Sequence, residues 1–121
     1  MNLDNAITAH AQWKMKFRGA IAAKQAMDAS TIAKDNCCEV GKWLHGEGRT
    51  AWGSKPEFVT LIERHKVFHV EAGKVATAIN SKHYDLATKM IDSSTPFAAA
   101  SSAVGVAILG LKKAISQPAK V

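Results

Sequence analysis

The sequence predicts an all-α chain: a four-helix bundle with a short extra helical segment at about residues 37–46. Three observations predict it. Period-2 runs of β-branched and aromatic residues are missing, while Ala and Lys are abundant. Apolar residues recur at steps of three and four over long stretches, and Pro, Gly and capping side chains mark where those stretches start and stop. A chain of 121 residues supports one core, assigned to residues 1–116, with a short tail at 117–121.

The first helix is expected near residues 3–27, where Leu3, Ile7, His10, Trp13 or Lys14, Phe17 and Ile21 share a phase. "DASTIAKDN" (28–36) has the composition of a loop. "CCEVGKWLHGEG" (37–48) reads as two or three helical turns stopped by Gly46 and Gly48, and "RTAWGSKP" (49–56) as an irregular connection. Ser54 as N-cap, with Pro56 and Glu57 in the first turn, starts a helix that runs to about Asn80. Its stripe holds Phe58, Leu61 or Ile62, His65, Phe68 or His69, Ala72, Val75 and Ile79.

Ser81 caps a last helix over about 82–116, which Pro96 kinks or restarts after the polar "DSST". Met90, Ser94, Phe97, Ser101, Val104, Ile108, Leu111 and Ile115 alternate steps of four and three on its inward face. The apolar run 97–111 is broken by serines and followed by Lys112 and Lys113, so it reads as a buried helix and not a membrane span.

The net charge of +6 comes from scattered lysines with Arg only at Arg18, Arg49 and Arg64. No basic run interleaves with aromatics, so the charge reads as a solvated surface and no nucleic-acid partner is expected. The N-terminus lacks the pattern of a secretory signal, and a cytoplasmic location is expected. Cys37 and Cys38 are adjacent and cannot close a structural loop with each other; in a reducing compartment they point to packing, metal binding or reactivity.

His65 and His69 stand one turn apart on or beside the apolar stripe, and His10 falls in the apolar phase of the first helix. A buried imidazole needs a hydrogen bond or a metal. One inward histidine is most often a satisfied core residue, but three with a nearby thiol favour a shared ligand. Histidines at i and i+4 offer two corners to one cation; His10 with Cys37 or Cys38 supplies the others by phase. Such a set suits Zn²⁺. His45 and His83, near helix ends, read as exposed or capping, and Glu63 and Glu71 as a solvated face or outer carboxylates. The HExxH signature of zinc peptidases is absent, because Lys66 and Val67 fill its middle.

"HAQWK" (10–14), "CEVGKWLHGEG" (38–48) and "PEFVTLIERHKVFHVEAG" (56–73) together resemble the H-x-x-W, C-x-x-G-x-W and H-x-x-x-H elements of the chemoreceptor zinc-binding (CZB) domain, in the same order. A weaker match continues through residues 94–113. The resemblance implies a helical bundle holding one zinc through His10, Cys38, His65 and His69. Cys38 is selected over Cys37 because Gly41 and Trp43 follow it at the family's spacing.

The resemblance further implies a sensory or regulatory domain in chemotaxis or cyclic-di-GMP control, responsive to zinc or to oxidants such as hypochlorous acid. No enzyme activity is expected. The chain carries neither a receptor coiled coil nor a cyclase domain, so either output passes through a chemoreceptor or diguanylate cyclase-type partner or the chain is an excised piece of a longer protein, with a homodimer as the expected assembly. A structural zinc staple serving protein interaction is the alternative. Trp13 and Trp43 are expected to wall the site, and Cys37 to be buried as a small apolar residue. A metalloenzyme would need Glu39 or Glu63 beside an open metal position, and a di-iron bundle would need Glu-x-x-His pairs, which are missing.

Overall fold

The computed structural model describes residues 1–116, and all secondary structure among them is helical. The tail expected at 117–121 lies outside the described residues. In chain order the helices are α1 (Leu3–Ala11), α2 (Trp13–Ala23), α3 (Ala29–Ile32), α4 (Glu39–Leu44), α5 (Glu47–Trp52), α6 (Pro56–Asn80), α7 (Tyr84–Met90) and α8 (Pro96–Ser116).

The expected first helix is two helices joined at Gln12, whose dihedrals stay helical at φ −73 and ψ −14 and whose N–H still bonds Thr8 O. It ends before residue 27, because Lys24 turns left-handed at φ 52. The N–H of Gln25 then reaches back to Ala20 O at 2.9 Å, the closing bond of a Schellman-type end.

The loop expected at 28–36 contains α3. Its first turn is closed by Asp28, whose Oδ1 accepts the Thr31 N–H at 3.2 Å and whose Oδ2 accepts the Thr31 hydroxyl at 2.7 Å. Half of the irregular connection expected at 49–56 belongs to α5, which also takes in Gly48, expected as a helix stop, and whose half-buried Trp52 packs on the core. Neither helix is long enough to show a period.

The start of α6 also differs. Its N-cap is Lys55 and not Ser54, with no side-chain cap bond; Pro56 at the first position has no N–H to satisfy. Ser81 is the C-cap of α6, and the next helix starts at Tyr84 behind His83. Pro96 restarts the chain as α8, so the expected helix over 82–116 is two, α7 and α8. The Thr95 hydroxyl accepts the N–H of Ala98 at 3.2 Å at that restart.

α6 organises the core. It packs against α8, α3, α7 and α2, while α1 lies on α8. Phe58, Leu61, Phe68, Ala72, Val75 and Ile79 line its inner face, with both phenylalanines at 0% exposure. Phe97, Val104, Ile108 and Leu111 of α8 meet them, which bears out half of the expected stripe; Ser94 is exposed, and Met90, Ser101 and Ile115 are half-buried. Each buried Phe or Leu contributes about 1.5–3 kcal/mol of apolar transfer. By length and composition alone α8 is able to cross a membrane, and its buried stripe packs in this core.

Candidate metal centre

Three helices converge on one point. α6 presents His65 and His69 one turn apart, at 0% and 1% exposure, where its 3.6-residue period keeps both on the core face. His10 enters from the last turn of α1, 3% exposed. Cys38, half-buried, is the N-cap of α4, and its Sγ accepts the N–H of Gly41 at 3.3 Å.

One ligand atom from each of the four lies within 4.8 Å of all the others. His65 Nε2 and His69 Nε2 are 3.1 Å apart, and Cys38 Sγ stands 3.3 Å from the first and 3.5 Å from the second. A tetrahedral zinc with bonds of about 2.0–2.1 Å to nitrogen and 2.3 Å to sulfur needs edges of about 3.3–3.6 Å. The spacing fits.

The ring hydrogen bonds set which nitrogens are available. The Nδ1–H of His10 donates to Ala6 O at 2.9 Å, and that of His69 to Ile32 O at 2.8 Å. Each ring therefore keeps an Nε2 lone pair. His10 Nε2 is buried and has no partner among the described residues. An unpartnered acceptor of this kind costs about 1–3 kcal/mol, and a cation relieves it. His65 differs: its Nε2 faces the cluster, but its buried Nδ1 has no partner.

Burial pushes all three imidazoles down. His65 falls to about 2, with His69 and His10 adding to the effect; for His10 the bond to Ala6 opposes burial, and for His69 the bond to Ile32 does. The rings are thus neutral at pH 7, the form that donates a lone pair to a metal. Burial pushes the Cys38 thiol up, against the N–H of Gly41, so its sulfur keeps its proton until a cation displaces it.

Two glycines make the convergence possible. A Cβ on Gly41 would lie 1.8 Å from Asp35 O, so only glycine lets residues 35–36 cross the first turn of α4 and bring Cys38 inward. A Cβ on Gly73 would lie 2.6 Å from the Cβ of Ala33; without it α3 lies close enough on α6 for Ile32 O to reach His69. The same loop is tied by His45 Nε2 and Asp35 Oδ2 at 3.2 Å.

The structure brings together all four residues singled out in the sequence: His10, Cys38, His65 and His69. Cys37 stays outside the cluster, half-buried instead of buried, with its Sγ 3.5 Å from Asn36 Oδ1. Trp13 packs on Phe17 at 5.4 Å between ring centres and lines a groove shared with His10 and Cys38, while Trp43 packs on Phe58 at 5.8 Å. His45 is the C-cap of α4 and His83 the N-cap of α7. Glu63 is exposed and Glu71 pairs with Lys74 at 3.0 Å, so neither joins the cluster. Nothing in the sequence singles out Ala6, Ile32, Asp35 or Gly73 as supports of the cluster. A backbone carbonyl leaves no mark on residue type, and only the Asp28–Thr31 cap could have announced α3.

The family model for the chemoreceptor zinc-binding domain matches residues 10–76, more than half of the chain. All four clustered residues lie inside the match. No curated protein and no solved structure matches the chain. Zinc is the metal of that family, and these four side chains stand close enough to hold one ion.

Proposed function

This chain belongs to the chemoreceptor zinc-binding domain family, and from that premise we propose a regulatory domain of bacterial signalling that responds to zinc or to oxidants and is not an enzyme. His10, Cys38, His65 and His69 are the ligands. When bound, zinc supplies a charge that holds Cys38 as thiolate and closes the donor set.

The observation that carries the reading is an asymmetry in the set. Three donors are buried imidazoles on α1 and α6, and the fourth is a half-buried sulfur at the start of a six-residue helix. That sulfur is the oxidisable corner. With hypochlorous acid, the thiolate takes oxygen to become sulfenic acid and chloride leaves; the product is a poorer donor. Residues 37–48 then loosen against α6, and a chemoreceptor or diguanylate cyclase-type partner in the cytoplasm reads the altered surface, in chemotaxis or cyclic-di-GMP control. The signalling unit is a homodimer. The arrangement proposed is a four-helix bundle with α1–α2 counted as one interrupted member beside α6, α7 and α8, and with α4 as the short extra segment that carries Cys38 at its N-cap.

A closed set of four protein donors favours a second reading, a zinc that only staples the fold. Elemental analysis of protein purified without added metal tests the ligands. One zinc per chain is expected, sharply reduced in Cys38→Ala and His69→Ala; zinc indifferent to both substitutions overturns the assignment. Stepwise hypochlorous acid then separates the readings: a sensor releases zinc while most of its helical signal remains, and a staple holds its zinc until the chain unfolds.

A further inference from the structure

We propose that a groove between α1–α2 and the start of α4 is the route by which small solutes reach the metal-facing atoms, with Cys38 the first of them met. The zinc reading above supplies what the route serves. The groove encloses about 380 Å³. His10 and Cys38 lie on its floor, Ala9, Trp13 and Lys16 form one wall, and Glu39 stands on the other.

His65 and His69 do not line it and are 0% and 1% exposed, so the cluster meets solvent at its sulfur corner. Ala9, Trp13 and Lys16 follow one another at steps of four and three and share a helix face. Lys16 Nζ lies 4.6 Å from the centre of the Trp13 ring, which holds that wall together. Lys16 and Glu39 put charges of opposite sign on facing walls, and the width between the walls limits what passes. Ala9 is small and exposed; a larger side chain there closes the groove without entering the core. Such a change slows arrival and departure alike and leaves the equilibrium affinity untouched, because every donor stays in place.

The test uses the Cys37→Ser protein, in which Cys38 is the sole thiol. Iodoacetamide alkylates it in the metal-free chain: a carbon–sulfur bond forms, iodide leaves and the thiol proton passes to buffer. Ala9→Trp, and Asn5→Trp one turn earlier on the same wall, are expected to slow this about tenfold. Ala22→Trp, which fills a different groove beside Arg18 and Asp92, is expected to leave the rate unchanged. In zinc-loaded protein, with bound zinc counted beforehand, the groove variants should pass zinc to a chelator more slowly at the same affinity. Unchanged alkylation in both groove variants with intact helical signal overturns the route, as does equal slowing by Ala22→Trp. A chain that holds no zinc contradicts the ligand assignment instead, and alkylation still decides the route by the same criterion.

Discussion

The four metal-facing side chains are held in two different ways. His65 and His69 stand on a 25-residue helix whose inner face is core, and His10 is locked to Ala6 at the end of α1. Cys38 begins a six-residue helix that depends on Gly41 and on a loop crossing above it. Helix propagation and apolar burial hold the histidine side in place with or without an ion. On the cysteine side Val40 and Leu44 anchor α4 in the core, but Cys38 itself stands half-buried at the N-cap, outside the helix. The difference teaches that one set of donors can join a rigid wall to a movable corner, so that a change at the metal is felt mostly on one side.

Zinc removal should show the largest effect. Stability is expected to fall by about 4 kcal/mol when free zinc had stood roughly a thousandfold above its dissociation constant. Hydrogen exchange should quicken first at residues 37–52, while the α6 amides around Phe68 and Val75 stay protected. Uniform quickening would erase the contrast between wall and corner.

Gly41→Ala should come next, costing about 2–4 kcal/mol, because the added methyl meets a backbone oxygen that cannot rotate away. Its zinc affinity should fall as Cys38 is pushed out, while metal-free α6 remains helical by circular dichroism. Retained affinity would mean that the corner adapts.

Acid should discriminate in the metal-free chain. Burial holds the three folded-state imidazoles below their ordinary 6.5, His65 at about 2, so between those values the unfolded chain binds more protons. Stability therefore rises with pH through that window and is lost as pH falls below about 6.5. His65→Phe should flatten the slope measured by urea titration at several pH values, and a slope unchanged by it would remove the histidine wall as the acid-sensitive part.

The smallest effect belongs to the surface tie. Asp35→Ala removes a partly exposed pair with His45 and should cost at most about 1 kcal/mol, leaving zinc affinity within about threefold. A larger loss of affinity would show that the loop over Gly41 is held from outside.

The pattern of residues made the histidine wall legible. A proline start and a long 3.6-residue period announced α6, and that period placed His65 and His69 inward. The corner was less so. Phase alone left Cys37 and Cys38 open, and their separation came from the motif around Gly41 and Trp43. Neither α3 nor α5 was visible, because four and six residues are too few for a period to declare itself. Ser54 and Ser81 looked like caps, yet Pro56 began α6 without a side-chain cap and Ser81 ended it.

By itself the sequence determined the helical class and the inward face of α6 with its two histidines, because periodicity and residue chemistry are local properties that a chain carries before it folds; the choice of Cys38 rested on the resemblance around Gly41 and Trp43. Only the tertiary structure decided which ring nitrogen each histidine offers, how α3 braces His69 and which corner solvent reaches. Those depend on the carbonyls of Ala6 and Ile32 and on the approaches permitted at Gly41 and Gly73. Contacts between a backbone atom and a distant side chain have no signature in residue type; they come into being when the helices pack.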